Sequence, residues 1–372
     1  MKKKTRVGIL FGGKSAEHEV ALQSAKNIVE AVDDDKYEVV LIGIDKQGQW
    51  HLQDSARFLL NAGDPKTIAL DVTSDDERLA VIPGMHGSRA VARSHNQEMA
   101  PVDVIFPVLH GPYGEDGTVQ GLLKLLDIPF VGASVLGSAI GMDKDVMKRL
   151  LREAGVPVAK FLVIPRYAKH SVDFQHVVNE VGLPCFVKPA NLGSSVGISR
   201  ASNETEFRQA VEEAFRYDMK ILIEESIQGR EIECSVLGNE SPIASLPGEV
   251  ITDTTKHQFY SYQAKYLDEN GATLVIPANL PEYLIKQVQD LSIKAFQVLC
   301  CEGMARADCF LTDDNQVLIN EINTIPGFTR ISMYPKLWEA SGIPYPELID
   351  RLIQLAIERR EREQELATSL TI

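Results

Sequence analysis

The sequence predicts an α/β domain followed by two α+β lobes, and three observations carry that expectation. Near the start, the apolar run Val7 to Phe11, a helix-like stretch holding Val20, Ile28 and Val32, and the run Glu38 to Ile44 make a βαβ unit. After Gly132 a second alternation of strand-like and helix-like segments begins. From Glu231 the chain turns β-rich, and it closes with a polar hairpin and an amphipathic helix. The three units expected are residues 1–132, 133–220 and 221–372.

A chain of 372 residues has room for two or three domains with a substantial core. Its charged fraction of 24% and hydrophobic fraction of 44% are those of a soluble globular protein. A net charge of −14 argues against nucleic acid or an anionic membrane as a partner, since either favours a basic face. The apolar run after the basic start breaks at Gly12-Gly13, too soon for a signal segment or a span, so a cytoplasmic location is expected. Five cysteines (Cys185, Cys234, Cys300, Cys301, Cys309) show no CxxC spacing and sit among apolar residues. Buried, reduced thiols are the expectation, and no zinc site.

Gly12-Gly13-Lys14-Ser15-Ala16-Glu17-His18-Glu19 turns the first strand into a helix, where βαβ units collect ligands. The spacing is not that of a dinucleotide fingerprint, and Glu17 there could simply complement the helix dipole. Residues 45 to 101 carry no chemical signal. The strand Val102 to Leu109 ends at His110-Gly111-Pro112-Tyr113-Gly114-Glu115-Asp116-Gly117, a strand end beside a glycine-rich turn where either a structural or a functional histidine fits. Ile128 to Val131 reads as a further strand, and Val135 to Glu153 as one helix stopped by Gly155 and Pro157.

The second block begins with a strand at Phe161 to Ile164 and a helix at Val172 to Val181. A strand then ends in Lys188-Pro189, and Gly193-Ser194-Ser195-Val196-Gly197 follows as a hairpin loop rich in small donors able to wrap phosphate oxygens. It is not a Walker loop, because no Gly-Lys-Ser/Thr leads into a helix. Asn203-Glu204-Thr205-Glu206 resembles a capping box, and Phe207, Val211 and Phe215 form the buried stripe of the helix it starts. Ile221-Leu222-Ile223 runs abruptly into Glu224 and Glu225, either a solvated strand exit or hydrogen-bond partners for an adenine and a ribose. Between Pro247 and Leu267, Phe259, Tyr260, Tyr262, Lys265 and Tyr266 interleave with polar residues, as in a lid or an ordinary surface loop. Leu284 to Ala295 and Leu348 to Ala356 give two amphipathic helices, the second running into a charged tail.

Met304 to Ser332 is the most informative stretch. It reads as two strands joined at Asp313-Asp314-Asn315. With Asp314-Asn315 as a two-residue turn, Asp308 faces Glu321 and Arg306 faces Asn323. Two carboxylates and an amide suit Mg²⁺, which leaves room for substrate phosphates, and Arg306 suits a phosphate or an oxyanion. A cross-strand ion pair on a solvated face is the plainer alternative. The turn Asn323-Thr324-Ile325-Pro326-Gly327 adds backbone N–H groups beside the carboxylates.

Taken in order, these pieces closely resemble the D-alanine–D-alanine ligases of the ATP-grasp superfamily. The match runs through Gly12 to Val20, His110-Gly111, Gly114 to Gly117, Met142-Asp143-Lys144, Val187-Lys188-Pro189 and Gly193 to Gly197. It continues through Ala264-Lys265-Tyr266, Arg306-Ala307-Asp308, Asn320 to Thr324 and Gly327-Phe328-Thr329. The resemblance implies an ATP-grasp fold behind an N-terminal Rossmann-like parallel-sheet domain, and peptidoglycan-precursor synthesis by joining two D-alanines with ATP. It implies ATP phosphates at Lys144, Lys188, Ser194, Ser195 and Lys265, adenine at Glu224, Glu225 and Ile227, and ribose at Glu231. Two Mg²⁺ ions, replaceable by Mn²⁺, would lie on Asp308, Glu321 and Asn323. The first D-alanine would meet Glu17 and His110, and the second Lys265, Ser332 and Met333. Arg306 and the Gly327 N–H would stabilise the oxyanion, and Ser194 and Tyr266 would link to Glu17. A neutral tyrosine at 266 looks like the dipeptide-forming type rather than the depsipeptide ligases that use D-lactate, with a D-alanine–D-lactate or D-alanine–D-serine ligase as one alternative. Another ATP-grasp carboxylate–amine ligase is the remaining alternative. The family is usually homodimeric, and the D-configuration rests on the resemblance alone.

Overall fold

A computed structural model describes residues 3–53, 59–62, 64, 67–71, 79–81, 90–92, 101–252 and 272–367. The first sheet has β1 (Thr5–Gly12) at its centre, parallel to β2 (Tyr37–Ile44) on one side and to a strand at Val104–Val108 on the other. Trp50–Gln53 adds an antiparallel edge to β2. Helix α1 (His18–Ala31) buries Val20, Ala21, Leu22, Ala25 and Ile28 against this sheet. The expected strand at Ile128 to Val131 contributes only a parallel bridge, Phe130 to Ile105.

The single helix expected from Val135 to Glu153 is two, α2 (Val135–Met142) and α3 (Lys144–Glu153). Asp143 breaks it. Its backbone is extended, and its carboxylate accepts from the N–H groups of Asp145 and Val146, which caps α3. The helix expected at Val172 begins at Phe174, after a 3₁₀ turn at Arg166–Ser171, because Asp173 caps it. Asn203 accepts from the Glu206 N–H at 3.0 Å, and Glu206 bonds back to the Ser202 N–H at 2.8 Å. The expected box is present with its return bond shifted by one residue.

The central sheet is antiparallel, in the order Ser199–Ala201, Cys185–Pro189, Lys220–Glu225, Phe161–Pro165. Lys220–Glu225 pairs inside it, so this sheet crosses the boundary expected at residue 220. The third sheet is also antiparallel, with Gly229–Gly238 flanked by Gly248–Thr252 and by Gly303–Thr312, and Val317–Asn323 beyond the latter. Ala272–Val275 pairs on the far side of Gly248–Thr252.

The cores show how these sheets are joined. Met147 and Leu151 of α3 are buried in the core of the third sheet. Phe328, just after the hairpin, is 1% exposed and packs in the first domain's core, with its ring edge-on to Phe106 at 5.7 Å. Burial of such a side chain contributes roughly 1.5–3 kcal/mol, so the loop after the hairpin is pinned to the first domain. Four cysteines are buried as expected, but Cys300 is exposed, in the left-handed residue that ends the Glu282–Val298 helix region. Among the described residues, no helix is long and apolar enough to cross a membrane.

Candidate active site

The hairpin has the expected pairing, Arg306 with Asn323 and Asp308 with Glu321, for a different reason. The connection is a three-residue loop, 313–315. The Asn315 N–H donates to Thr312 O at 2.9 Å, Asn315 is left-handed at φ 64°, and the Thr312 N–H reaches Gln316 O at 3.0 Å. That loop shifts the register by one residue, and the irregularity between Asp308 and Cys309 shifts it back. Arg306 donates from Nε and Nη2 to both Asp308 oxygens, at 2.6 and 2.7 Å, and its Nε lies 2.9 Å from Glu233 Oε2. Asn323 Nδ2 donates to Asp308 Oδ2 at 3.0 Å. Lys144 Nζ stands 3.4 Å from Glu321 Oε2.

A cavity of about 480 Å³ opens over this hairpin, between the central and third sheets. Lys144, Lys188, Ser194, Ser195, Glu224, Glu225, Ile227, Glu231, Asp308 and Glu321 all line it, although they come from segments up to 177 residues apart. Its size is in the range of small-ligand sites. Lys144 is in the first turn of α3, and its Nζ donates to Leu192 O at 2.9 Å. The α3 start is tied to the central sheet by Lys220, whose Nζ donates to Asp143 Oδ2 at 2.7 Å and Asp145 Oδ2 at 2.8 Å. Lys188 Nζ meets Glu224 Oε2 at 2.5 Å, while Lys148 Nζ is 3.3 Å from Oε1 of the same carboxylate. Burial pushes the Glu224 carboxyl up, but the two ammoniums outweigh it and hold the carboxyl below its ordinary value. Ser194 and Ser195 are left-handed, at φ 52° and 58°, a conformation that costs side-chain-bearing residues energy and recurs at ligand sites.

The Ser194 hydroxyl donates to Glu17 Oε1 and so joins the cavity to a second cluster. Glu17 is buried at the foot of α1, with its own N–H on Ser15 Oγ at 3.1 Å. Gly111 packs against it. A Cβ there would lie 2.8 Å from Glu17 Oε2, and its φ of +75° also favours glycine. His110 is buried, with Nδ1 on Ile325 O at 3.0 Å and, among the described residues, no hydrogen-bond partner for Nε2. Burial lowers its pKa, so its neutral ring donates from Nδ1 and presents Nε2 as an acceptor. Glu115 accepts from the N–H groups of Gly111 at 2.6 Å and Ile325 at 3.3 Å. Burial, and after it the charge on Glu17, push its carboxyl up to about 8.

Beyond Ile325, the Phe328 peptide is clamped by α1, its N–H on Ser24 Oγ at 3.1 Å and its oxygen on Asn27 Nδ2 at 3.0 Å. Ser332 Oγ accepts from the Thr329 N–H at 3.0 Å and crowds Gly327, where a Cβ would sit 2.7 Å away. Met333 follows, buried, at the start of the Met333–Ala340 helix.

Family models of the D-ala D-ala ligase N-terminus and C-terminus match residues 6–133 and 150–354. The chain belongs to the D-alanine–D-alanine ligase family. A D-alanine–D-alanine ligase of Oceanobacillus iheyensis is 57% identical over 98% of this chain and 99% of that protein. The solved D-alanine–D-alanine ligase of Coxiella burnetii superposes with a TM-score of 0.83 at 41% identity, over 97% of this chain and 96% of that one. The VanG D-Ala:D-Ser ligase of Enterococcus faecalis gives 0.82 at 32% identity, over 95% and 100%. The fold is thus that of the ATP-grasp ligases, with the parallel sheet at its N-terminus.

Lys265 and Tyr266, expected in a lid or a surface loop with Phe259, Tyr260 and Tyr262, lie outside the described residues. Lys148, Glu233 and the Glu115 side chain join the site without having been among the candidates from sequence. Lys148 was detectable in principle, because it stands four residues after Lys144 and hence on the same helix face. Glu233 gives no local signal, since it meets Arg306 only through strand pairing.

Proposed function

We propose that this protein is a D-alanine–D-alanine ligase that couples ATP hydrolysis to formation of D-alanyl-D-alanine, a precursor for peptidoglycan. One observation carries the reading: ten of the twelve residues expected around a nucleotide and its metal line one cavity, which is hydrogen-bonded through Ser194 to Glu17; Asn323 stands beside Asp308 without lining it, and Lys265 lies outside the described residues. The phosphates of ATP would take Lys144, Lys188 and the N–H and hydroxyl groups at Ser194-Ser195. Adenine would lie against Glu225 and Ile227, and Glu231 would accept from the ribose. Glu224, with both oxygens on lysines, would serve the phosphate end as much as the base.

Asp308, Glu321 and Asn323 fit Mg²⁺. Asp308 and Glu321 line the cavity with Asn323 beside Asp308, and two carboxylates with an amide would leave positions for phosphate oxygens. Among the described residues no three His, Cys, Asp or Glu side chains form a closed metal cage, as a site shared with substrate requires none. Bound there, Mg²⁺ or Mn²⁺ would offset phosphate charge during transfer.

Glu17 would pair with the ammonium of the first D-alanine and His110 would bound its subsite. The carboxylate of this D-alanine attacks the γ-phosphorus, the bond to ADP breaks, and an acyl phosphate results. The second D-alanine would lie with its carboxylate toward Ser332, Met333 and Lys265. Its deprotonated amine attacks the acyl carbon, and the carbon–oxygen bond to phosphate breaks as the peptide forms. Arg306 and the Gly327 N–H would hold the oxyanion, at a typical worth of ~3–4 kcal/mol per donor. Ser194 and Tyr266 would keep Glu17 oriented. The lobes would divide near residues 132 and 227, the enzyme would be cytoplasmic, and it would pair as a homodimer without nucleic-acid or membrane partners.

The test is phosphate release from ATP with D-alanine, L-alanine, D-serine or D-lactate as the amino-acid substrate. Release with D-alanine, and D-alanyl-D-alanine as the product, is expected. Release that prefers D-serine or D-lactate as the second substrate reassigns the specificity, and none with any of them ends the ligase reading.

A further inference from the structure

Lys148 has no role in the chemistry above, and its placement is expensive. It is 0% exposed, one helical turn below Lys144, and it does not line the nucleotide cavity. A buried ammonium is tolerated only with a counter-charge, and among the described residues its ion-pair partner is Glu224. That carboxylate already has Lys188 at 2.5 Å. Two lysines therefore share one glutamate, one on each oxygen, and only Lys188 reaches the cavity.

We propose that Lys148 is a positioning residue for nucleotide binding: by drawing on Glu224 from behind, it keeps the Lys188 ammonium available to a phosphate. The charge count makes the point. Burial lowers the Lys148 pKa while Glu224 beside it favours the charged form; with both lysines protonated, Lys148, Lys188 and Glu224 together carry one net positive charge, turned toward the cavity through Lys188. Without Lys148 the pair Lys188–Glu224 is neutral, and a phosphate must compete with Glu224 for the one ammonium. In a low-dielectric wall that competition is strong. A lysine retained only to fill space would be better replaced by an apolar side chain of similar length, which involves no desolvated charge.

This inference rests on the nucleotide reading of the cavity, and the experiment separates the two. Binding of ATP, ADP and adenosine is measured for the unsubstituted protein and for Lys148→Met, which keeps the length and removes the charge. The expectation is that ATP and ADP weaken by about tenfold or more while adenosine, which has no phosphate, changes by less than about twofold. Lys148→Gln is read the same way should the methionine variant not fold. Unchanged ATP and ADP binding shows that Lys148 only packs, and equal weakening of all three ligands shows a deformed pocket; either overturns the proposal. Failure of the unsubstituted protein to bind ATP or ADP sinks the nucleotide reading, and this inference with it.

Discussion

Two glutamates at opposite ends of the site titrate in opposite directions. Glu224 has an ammonium on each oxygen, and its carboxyl is held below the ordinary value. At Glu115 burial and then the like charge of Glu17 outweigh two backbone N–H groups and the Arg306 guanidinium, and the carboxyl is pushed up to about 8. Burial pushes both carboxyls up; the two ammoniums reverse the sign at Glu224, and the groups around Glu115 do not. The difference extends to the ends themselves. At the nucleotide end, Lys144, Lys148, Lys188 and Arg306 are matched by Glu224, Glu233, Asp308 and Glu321. These four pairs balance, and Glu225, Glu231 and Glu249 also line the cavity with Arg200 and Arg230, so under the proposed function the extra cations for a triphosphate would arrive with the nucleotide, as Mg²⁺ would. The other end brings Glu17 and Glu115 together, with Arg306 near enough to act on Glu115 and His110, and under the proposed function it would take a ligand's ammonium on Glu17.

The largest effect should come from disturbing the balanced end. Asp308→Ala removes an oxygen ligand from the proposed metal site but leaves Arg306 with Glu233, so the fold should survive. Turnover should fall by about 10²–10³-fold, with melting close to that of the unsubstituted protein. Near-normal turnover with an unchanged Mg²⁺ requirement would remove Asp308 from the ligand set and with it the account of why the four pairs balance.

How much of this was legible in the sequence depended on whether a signal was local. The βαβ start, the Asn203 cap and the Phe207–Val211–Phe215 stripe all follow from neighbours in the chain, and all are present. The facing of Asp308 and Glu321 was read correctly through two offsetting departures: a loop one residue longer than expected and an irregular register beside Asp308. Hydrophobic alternation cannot count loop residues, because Asn315 takes its left-handed turn without altering the pattern on either side. The break at Asp143 was missed for a related reason. Helical periodicity continues through it, and only the carboxylate on the Asp145 and Val146 N–H groups shows that a new helix begins. Glu115 belonged to a recognised motif, yet its character depends on Glu17 and Ile325, which are distant in sequence and adjacent only after folding.

The raised carboxyl of Glu115 makes the other end testable through stability. The folded state holds this proton up to about pH 8, whereas the unfolded chain releases it near 4.5. Stability from this group is therefore complete below pH 4.5 and is lost as pH rises toward 8, with a slope of at most about 1.4 kcal/mol per pH unit. Glu115→Gln has no proton to lose, so its denaturant midpoint should fall less than that of the unsubstituted protein between pH 5 and pH 8. Parallel profiles for the two proteins would mean that Glu17 and burial do not act on Glu115 as its position implies.

The smallest effect is expected where neither burial nor a crowded site raises the stakes. Lys286 and Asp290 form an ion pair at 2.5 Å, as short as the one between Lys188 and Glu224, on the outer face of the Glu282–Val298 helix. Their side chains are 69% and 56% exposed, so water and salt answer both charges whether or not they meet. Asp290→Asn should change stability by no more than about 0.5 kcal/mol, and by less at high salt. A loss of several kcal/mol there, read from denaturant unfolding, would contradict the claim that distance matters little until water is excluded. It would also undercut the assignment of the Lys148–Glu224–Lys188 cluster as a device built by burial.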